Sequence, residues 1–370
     1  MSDWKAEVVR IEKVEKHPMA DRLIIVTVLG DYPVVTNLVD LKVGDLIGYL
    51  GIDTIVPDTE DFHFLCPMEY EKYEDENGEI KQRQIGAKFP VGSVPEKYRI
   101  IKAKKIRGIY SQGMLHPIDR YRDSLKEGDS IVELLGLKKW VEEVDDEVKF
   151  NGVKVKMRGT NQASPPKGWS IPFYDIESVR KYLKCFLPNE QIVLLEKING
   201  SNSAFCHDGT NLVVKSRNYY KKEDDNDMWW NAANRYDLKN KLAKYPMMVF
   251  FAECAGQIKN FRYGAKIVNG SLHTRLFFFD IFDLSKMSYL NYEDSLSIVK
   301  DLGLEYAPEI YKGPWTNKEE MYPYAEGLSL VDNKTIREGF VMKPLIERIE
   351  PKLNGRWQVK LVSETYNLNK

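Results

Sequence analysis

The chain has 370 residues and a mass of 42.9 kDa, a length that predicts two or three domains. Hydrophobic residues at 43% and charged residues at 29% exclude large-scale disorder. There is no uncharged apolar run of about 18 residues and no apolar stretch after Met1, so neither a membrane-spanning nor a secreted protein is expected. Four cysteines, Cys66, Cys185, Cys206 and Cys254, lie far apart without a CxxC pair. That spacing suggests neither zinc nor a disulfide framework and favours a cytoplasmic setting. The net charge of −1 hides an asymmetry: residues 1–150 hold 22 Lys and Arg against 29 Asp and Glu, a balance of −7, and residues 151–370 hold 32 against 26, a balance of +6. A basic second half is compatible with a phosphate-bearing ligand, although solvated surfaces also carry such an excess.

Short β-rich runs at Glu7–Ile11, Leu23–Leu29 and Leu46–Leu50, separated by turn residues, predict a small all-β unit. The acidic stretch Glu69–Glu79, with Asn77-Gly78, predicts a solvated loop or an exposed hairpin interrupting that unit. Strand character resumes over Tyr98–Ile106 and ends near Ile131–Leu135. Gly159-Thr160 and Ala163-Ser-Pro-Pro166 mark a linker, which places a boundary near 160, between domains 1–160 and 161–370. Beyond it, helices are expected over Ile176–Phe186, Asp227–Tyr245, Tyr292–Leu302 and Lys318–Leu328. Strands are expected over Gln191–Glu196, Leu212–Arg217, Met247–Cys254, Leu276–Ile281, Glu338–Met342 and Trp357–Val362. Strands and helices in separate blocks predict an α+β fold with antiparallel sheets.

The N-terminal part resembles the OB-fold of tRNA-binding domains through His17-Pro-Met-Ala-Asp-Arg-Leu23, Val43-Gly-Asp-Leu46 and Lys105-Ile-Arg-Gly-Ile-Tyr-Ser-Gln-Gly-Met-Leu115. OB-folds bind single-stranded nucleic acid on a basic, aromatic face. The balance of −7 weakens that use here. Gly108 and Gly113 can equally serve as turn residues, and Arg107 can pack its stem locally.

Lys197 ends an apolar strand and is followed by Asn199-Gly200, which sets a possible nucleophile at a tight turn. A surface lysine beside a turn has the same local pattern. The ordered set downstream separates the two readings: Lys215-Ser-Arg-Asn218, Phe251-Ala-Glu-Cys-Ala-Gly256, Phe278-Phe-Asp-Ile281, Arg337-Glu-Gly-Phe-Val-Met-Lys-Pro344 and Val359-Lys-Leu-Val-Ser363. Together with Glu196-Lys-Ile-Asn-Gly-Ser-Asn202 and Pro172-Phe-Tyr-Asp-Ile-Glu177, this series resembles the nucleotidyltransferase motifs of ATP-dependent RNA ligases, in the branch whose OB domain precedes the catalytic domain.

The resemblance implies an OB-fold barrel followed by an antiparallel-sheet adenylyltransferase domain. It further implies ATP and Mg²⁺ or Mn²⁺ as cofactors, RNA as partner, and a monomer serving RNA repair. Lys197 would carry AMP; Glu196, Ile198, Asn199, Arg217, Glu253, Phe279, Lys343 and Lys360 would bind the nucleotide; Glu338 and Glu253 would hold the metal. Within that set Phe279 would stack on adenine and Lys360 would meet the α-phosphate. For Glu253 the alternative is an ion pair with Arg275, because buried charges are paired. Consecutive strand residues face opposite ways, so Phe278 must point away from Phe279. Trp229 and Trp230 read as core. Two positions depart from the family pattern: Asn199 stands where an Asp is common, and Val362 where a second lysine often follows Lys360, so that either Lys360 alone suffices or Lys343 or Lys352 substitutes. A DNA ligase, a capping guanylyltransferase and a noncatalytic RNA-binding protein on a degenerate ligase scaffold remain the alternatives.

Overall fold

The computed structural model describes residues 4–74, 79–119, 124–140, 147–150, 153–156, 162–225, 227–258, 261–268 and 271–369. It contains two compact units, Met1–Glu142 and Glu143–Lys370. The linker glycine and threonine at 159–160, where the sequence places the boundary, lie outside the described residues. Among the described residues no helix is long and apolar enough to cross a membrane.

In the first unit, an antiparallel sheet runs in the order Met114–His116, Leu46–Leu50, Ala6–Lys16, Ile24–Val28, Tyr32–Thr36. The 11-residue first strand serves two partners. Its first half pairs with Leu46–Leu50 and its second half with Ile24–Val28, and a bulge between Ile11 and Lys13 bends the chain from one to the other. The outer strands then come together: the Gln112 N–H donates to the Pro33 carbonyl at 2.8 Å, and the Val35 N–H to Ser111 Oγ at 3.0 Å. The sheet closes over a core that includes Val9, Val26, Val34, Ile47 and Tyr49. The acidic stretch is an exposed hairpin, Met68–Glu74 paired with Ile80–Ala87; the Asn77-Gly78 turn lies outside the described residues. The Ile131–Leu135 run is turn rather than strand, yet Ile131 is fully buried, so its hydrophobicity reflects a core anchor.

The glycines and arginine of the 105–115 segment have local jobs. Arg107 donates to the Met19 carbonyl at 3.1 Å, tying down the 17–23 loop. Gly113 has φ +96°, and a Cβ there would sit 2.6 Å from the Tyr49 ring and 2.7 Å from the Leu50 carbonyl oxygen.

The second unit pairs two sheets. One has the order Glu177–Ser178, Val359–Val362, Gly339–Pro344, Gln191–Glu196, Glu309–Pro314; the other runs Tyr220–Lys221, Leu212–Ser216, Gly200–His207, Met248–Ala255, Arg275–Asp283, Ser288–Tyr289. Their main shared core joins Val193 and Leu195 of the first to Phe205, Phe250, Cys254, Leu276 and Phe278 of the second. The helix Met228–Arg235 is capped by Asp227, whose carboxylate accepts from the Trp229 and Trp230 N–H groups, and it adds both tryptophans to that core. The antiparallel strands and separate helices fit the α+β expectation, with strand content dominant.

Three expected helices are corrected. Over Ile176–Phe186, Glu177–Ser178 enters the ladder beside Val359–Lys360, and only single 3₁₀ turns follow, because those backbone groups are already committed to the sheet. The Asp227–Tyr245 stretch breaks at Asp237, which is left-handed at φ +54°, giving helices Met228–Arg235 and Leu238–Leu242. After Lys318–Met321, Pro323 removes an N–H and the chain tightens into a 3₁₀ turn at Tyr322–Ala325.

Gly113 and Gly128 share a positive φ, +96° and +90°, but the space around Gly128 is open. Gly128→Ala is therefore expected to lose about 1 kcal/mol from backbone strain alone, and Gly113→Ala about 1 to 3 kcal/mol more from overpacking. Urea denaturation of the two variants measures this; equal losses would refute the packing role of Gly113.

Candidate active site

The strand Gln191–Glu196 buries Ile192 and Leu194 on one face and Val193 and Leu195 on the other. By that alternation Glu196 turns away from the space between the sheets and Lys197 turns into it. Immediately afterwards the chain crosses from one sheet to the other, entering the second at Gly200. A Cβ on Gly200 would lie 2.5 Å from the Cys254 carbonyl oxygen, so the crossing needs glycine. Ile198 is buried against Ala255, Tyr263 and Phe277, and clamps the crossing. The Asn199 N–H donates to Tyr263 Oη at 3.1 Å and its side-chain amide to Tyr366 Oη at 2.7 Å. Asn199 thus holds the turn through neutral hydrogen bonds, where the common Asp would carry charge.

Lys197 opens into a cleft of about 1100 Å³ that is also lined by Asn199, Arg217, Glu253, Phe279, Glu338 and Lys360. Its Nζ donates to Glu338 Oε1 at 2.6 Å, its side chain is only 25% exposed, and its backbone N–H donates to the Gly339 carbonyl at 3.0 Å. This amine is neither solvent-facing nor remote from the acids. The second Glu338 oxygen, Oε2, is buried without a hydrogen-bond partner. Burial pushes the Glu253 carboxyl up to about 8, against the opposing pull of the Lys197 charge; Glu338 pushes it further up and Arg217 draws it down. Arg275 is not its partner, since that guanidinium pairs with Glu305 and donates to the Tyr263 carbonyl at 2.7 Å.

Arg217 occupies the tight turn between Leu212–Ser216 and Tyr220–Lys221, closed by the Ser216 N–H donating to the Tyr219 carbonyl. Asp175 Oδ1 accepts from its Nη2 at 2.9 Å, and Lys215 Nζ donates to its backbone carbonyl at 3.0 Å. The strand Val359–Val362 buries Val359 and Leu361 in one core, and Lys360 within it and Gln358 just before it line the cleft. Val362, where a second lysine was sought, is not among the lining residues, and neither Lys343 nor Lys352 takes its place there.

Phe279 lies in a bulge opposite Phe251 and Ala252, which frees its ring for the cleft beside Tyr174, at 5.1 Å between centroids. Phe277 also lines the cleft and Phe278 is core, as strand alternation requires.

Two expected nucleotide-binding side chains are corrected. Lys343 is fully buried: its Nζ lies 2.5 Å from Asp280 Oδ1 and donates to the Phe279 carbonyl at 2.8 Å, so it supports the ring from behind. Asp280 also accepts from Arg356 at 2.9 Å and from Tyr174 Oη. Burial pushes the Asp280 carboxyl up, but the Arg356 and Lys343 charges outweigh it and hold the group well below the usual carboxylate range. Glu196 itself lines the cleft, but its carboxylate is buried and bonded away from it, Oε2 accepting the Leu330 N–H at 2.7 Å; burial raises its pKa.

Sequence reasoning missed Tyr174, Gln358, Asp280 and Arg356, which form the floor under Phe279, and Tyr366, which reaches Asn199 from the chain's end. Tyr174 and Asp280 sit inside quoted motifs, so proximity to Phe279 and Phe173 was a usable signal; nothing in the sequence marks Tyr366.

A lysine at the crossover of two sheets, antiparallel except for the Glu177–Ser178 edge, thus faces paired acids, an aromatic ring and basic side chains. Residues 190–362 match the RNA ligase family, and residues 5–92 match an OB-fold domain family. Residues 190–362 thus form an RNA ligase family domain within the second unit, with an OB-fold family domain ahead of it. A comparison with curated proteins found no match. Among solved structures, the chain is similar to a Naegleria gruberi RNA ligase lysine-to-alanine mutant with ATP and Mn, at 22% identity and TM-score 0.73, covering 99% of this chain and 98% of that one. A structure of the same ligase with PPi gives 22% and 0.71, covering 98% and 97%. A glutamate-to-alanine mutant with AMP and Mn gives 21% and 0.72, covering 99% and 98%.

The Glu253 shift has a measurable consequence for stability. Its folded pKa, about 8, lies above its ordinary value of 4.5, so the folded state holds an extra proton between those values. Stability from this group is complete below pH 4.5 and is lost as pH rises through 8. Glu253→Gln is expected to match the parent protein's thermal midpoint at acidic pH and exceed it increasingly up to about pH 8; parallel melting curves across this range would contradict the assignment.

Proposed function

We propose that this protein is an ATP-dependent RNA ligase that works through a lysyl-AMP intermediate and joins RNA 5′-phosphate and 3′-OH ends, serving RNA repair. The observation that carries the reading is the Lys197–Glu338 pair in a cleft that also gathers Glu253, Arg217, Phe279 and Lys360. In the first step the Lys197 ammonium gives a proton to Glu338 Oε1 and its freed Nζ attacks the α-phosphorus of ATP; an N–P bond forms, the P–O bond to pyrophosphate breaks, and the second proton leaves the nitrogen with the departing pyrophosphate. An oxygen of the RNA 5′-phosphate then displaces the lysine, taking AMP. Finally the 3′-hydroxyl oxygen attacks that 5′-phosphate and expels AMP. Splitting the condensation this way gives each displacement a good leaving group.

Phosphoryl transfer depends mainly on position and charge compensation. Lys360, presented by its strand into the cleft, faces the α-phosphate; Arg217, steered by Asp175, serves the RNA 5′-phosphate; Phe279 offers its ring to adenine. Glu338 and Glu253 suit a divalent cation such as Mg²⁺ or Mn²⁺: both are carboxylates, Glu338 Oε2 is a buried orphan, and positive charge would return Glu253 to its ionised form. When bound, that cation would offset the phosphate charge. All these groups come from a single chain, so we infer that a monomer suffices.

Incubation with labelled ATP and Mg²⁺ should leave label on the protein that survives denaturation and alkali but is released by acid, as a P–N bond requires; labelled GTP should not, and a nicked duplex should discharge the label. Lys197→Ala should abolish labelling. Lys360→Ala should slow it about 10²- to 10³-fold, the usual loss for one charge-stabilising group at a transition state. Label from GTP alone would indicate a capping-type enzyme. Absence of label with intact RNA binding would indicate a noncatalytic protein. Nicks differing only in ribose or deoxyribose at the 3′-OH side separate RNA from DNA sealing.

A further inference from the structure

The segment Ile171–Asp175 is pinned at three points. The Ile171 N–H donates to Tyr220 Oη at 2.8 Å, Tyr174 is buried with its hydroxyl on Asp280, and Asp175 holds Arg217 at 2.9 Å. With Ile171 and Tyr174 both buried, Phe173 between them projects outward and is 56% exposed. The Arg217 guanidinium lies over its ring, 5.6 Å from the centroid. Two residues after Arg217, at the end of the same tight turn, Tyr219 is 52% exposed and lines the cleft. The result is a cation over one outward aromatic ring, with a second exposed ring two residues further along the same turn, beside a second depression of about 530 Å³ that Phe173 lines with Tyr289 and Arg356.

We propose that Phe173, with Tyr219, is a base-stacking platform that seats the RNA nucleotide bearing the 5′-phosphate, so that Arg217 meets that phosphate. The inference rests on the RNA ligase reading above. Three features favour a nucleic-acid strand as the occupant. An aromatic face stacks on any base, an adjoining guanidinium pairs with phosphate, and the unit around them is basic by 6 charges, counted over residues 151–370. The rigid backbone adds to this, because a platform that is already ordered loses little entropy on binding. Phe173 lies outside the cleft and both rings are more than half exposed, whereas Phe279 lines the cleft and is only partly exposed. The platform therefore acts in the two RNA-dependent steps and not in formation of lysyl-AMP.

The test separates those steps. Lysine adenylylation is followed with labelled ATP and no RNA, and sealing is followed on a nicked RNA duplex whose 5′ end already carries AMP. Phe173→Ala is expected to adenylylate within twofold of the parent protein and to raise the KM for the adenylylated nick about tenfold, with a smaller change in kcat. Phe173→Trp should restore the KM and Phe173→Leu, which is apolar but cannot stack, should not; Tyr219→Ala should raise the KM in the same direction. Sealing by Phe173→Ala with an unchanged KM, equal rescue by Leu and Trp, or a parallel fall in adenylylation would overturn the platform. If the parent protein itself took no label, the ligase reading would fail instead. The platform would then be decided by direct binding of the nicked RNA duplex, unchanged affinity of Phe173→Ala refuting it and a loss rescued by Trp alone supporting it.

Discussion

The charge pair between Lys197 and Glu338 joins residues 141 positions apart, and it exists because two strands of one sheet end at the same level. Glu196 pairs with Phe340, the Lys197 N–H bonds the Gly339 carbonyl, and the next residues leave for the second sheet. The nucleophile is thus fixed at a seam, with its amine in a partly desolvated cleft and its backbone in the ladder. An ammonium in such a place is tolerable only with an acid beside it, and Glu338 supplies the acid without spending its second oxygen. That remaining oxygen and the strongly raised Glu253 leave the cleft short of positive charge, which a nucleotide accompanied by a cation would correct.

Charge is handled differently beneath Phe279. There Asp280 is fully buried between Lys343 and Arg356, with Tyr174 and Gln358 completing its hydrogen bonds. Removing one partner of such a cluster leaves an uncompensated buried charge, which is far more damaging than losing a surface pair. Since Lys343 also bonds the Phe279 carbonyl, the network fixes the bulge that turns the ring into the cleft. Lys343 therefore acts on the nucleotide only through the ring it supports.

Much of this was legible in the sequence because each strand carries its own period-2 signal: Lys197 and Glu338 flank strand ends, Arg217 lies in a turn, and Glu253 and Lys360 stand at cleft-facing positions within strands. Lys197, Arg217, Glu253, Phe279, Glu338 and Lys360 all line one cleft, and the order of their motifs matches the order in which the strands deliver them. Alternation placed Phe278 in the core. The same rule, applied to Glu196 beside Lys197, would have turned its carboxylate away from the nucleotide. Lys343 escaped because its partner Asp280 is 63 residues distant and only the fold shows that an acid waits there. The expected helix at 176–186 failed for a related reason: its charge order suits a helix, but the parallel pairing of Glu177–Ser178 with Val359–Lys360 is a long-range event with no local trace. The OB-fold motifs predicted the barrel, and Arg107 and Gly113 take the local roles that the sequence offered beside RNA contact.

The central claim is that one amine, held at the seam of two sheets, becomes the covalent carrier of a nucleotide. Mass spectrometry of the protein after incubation with ATP and Mg²⁺, followed by fragmentation of the modified peptide, tests this directly. The account predicts a single AMP adduct on the Lys197 side chain that disappears when nicked RNA is added. An adduct on any other residue, or an unmodified Lys197 in protein that nevertheless seals RNA, would contradict it.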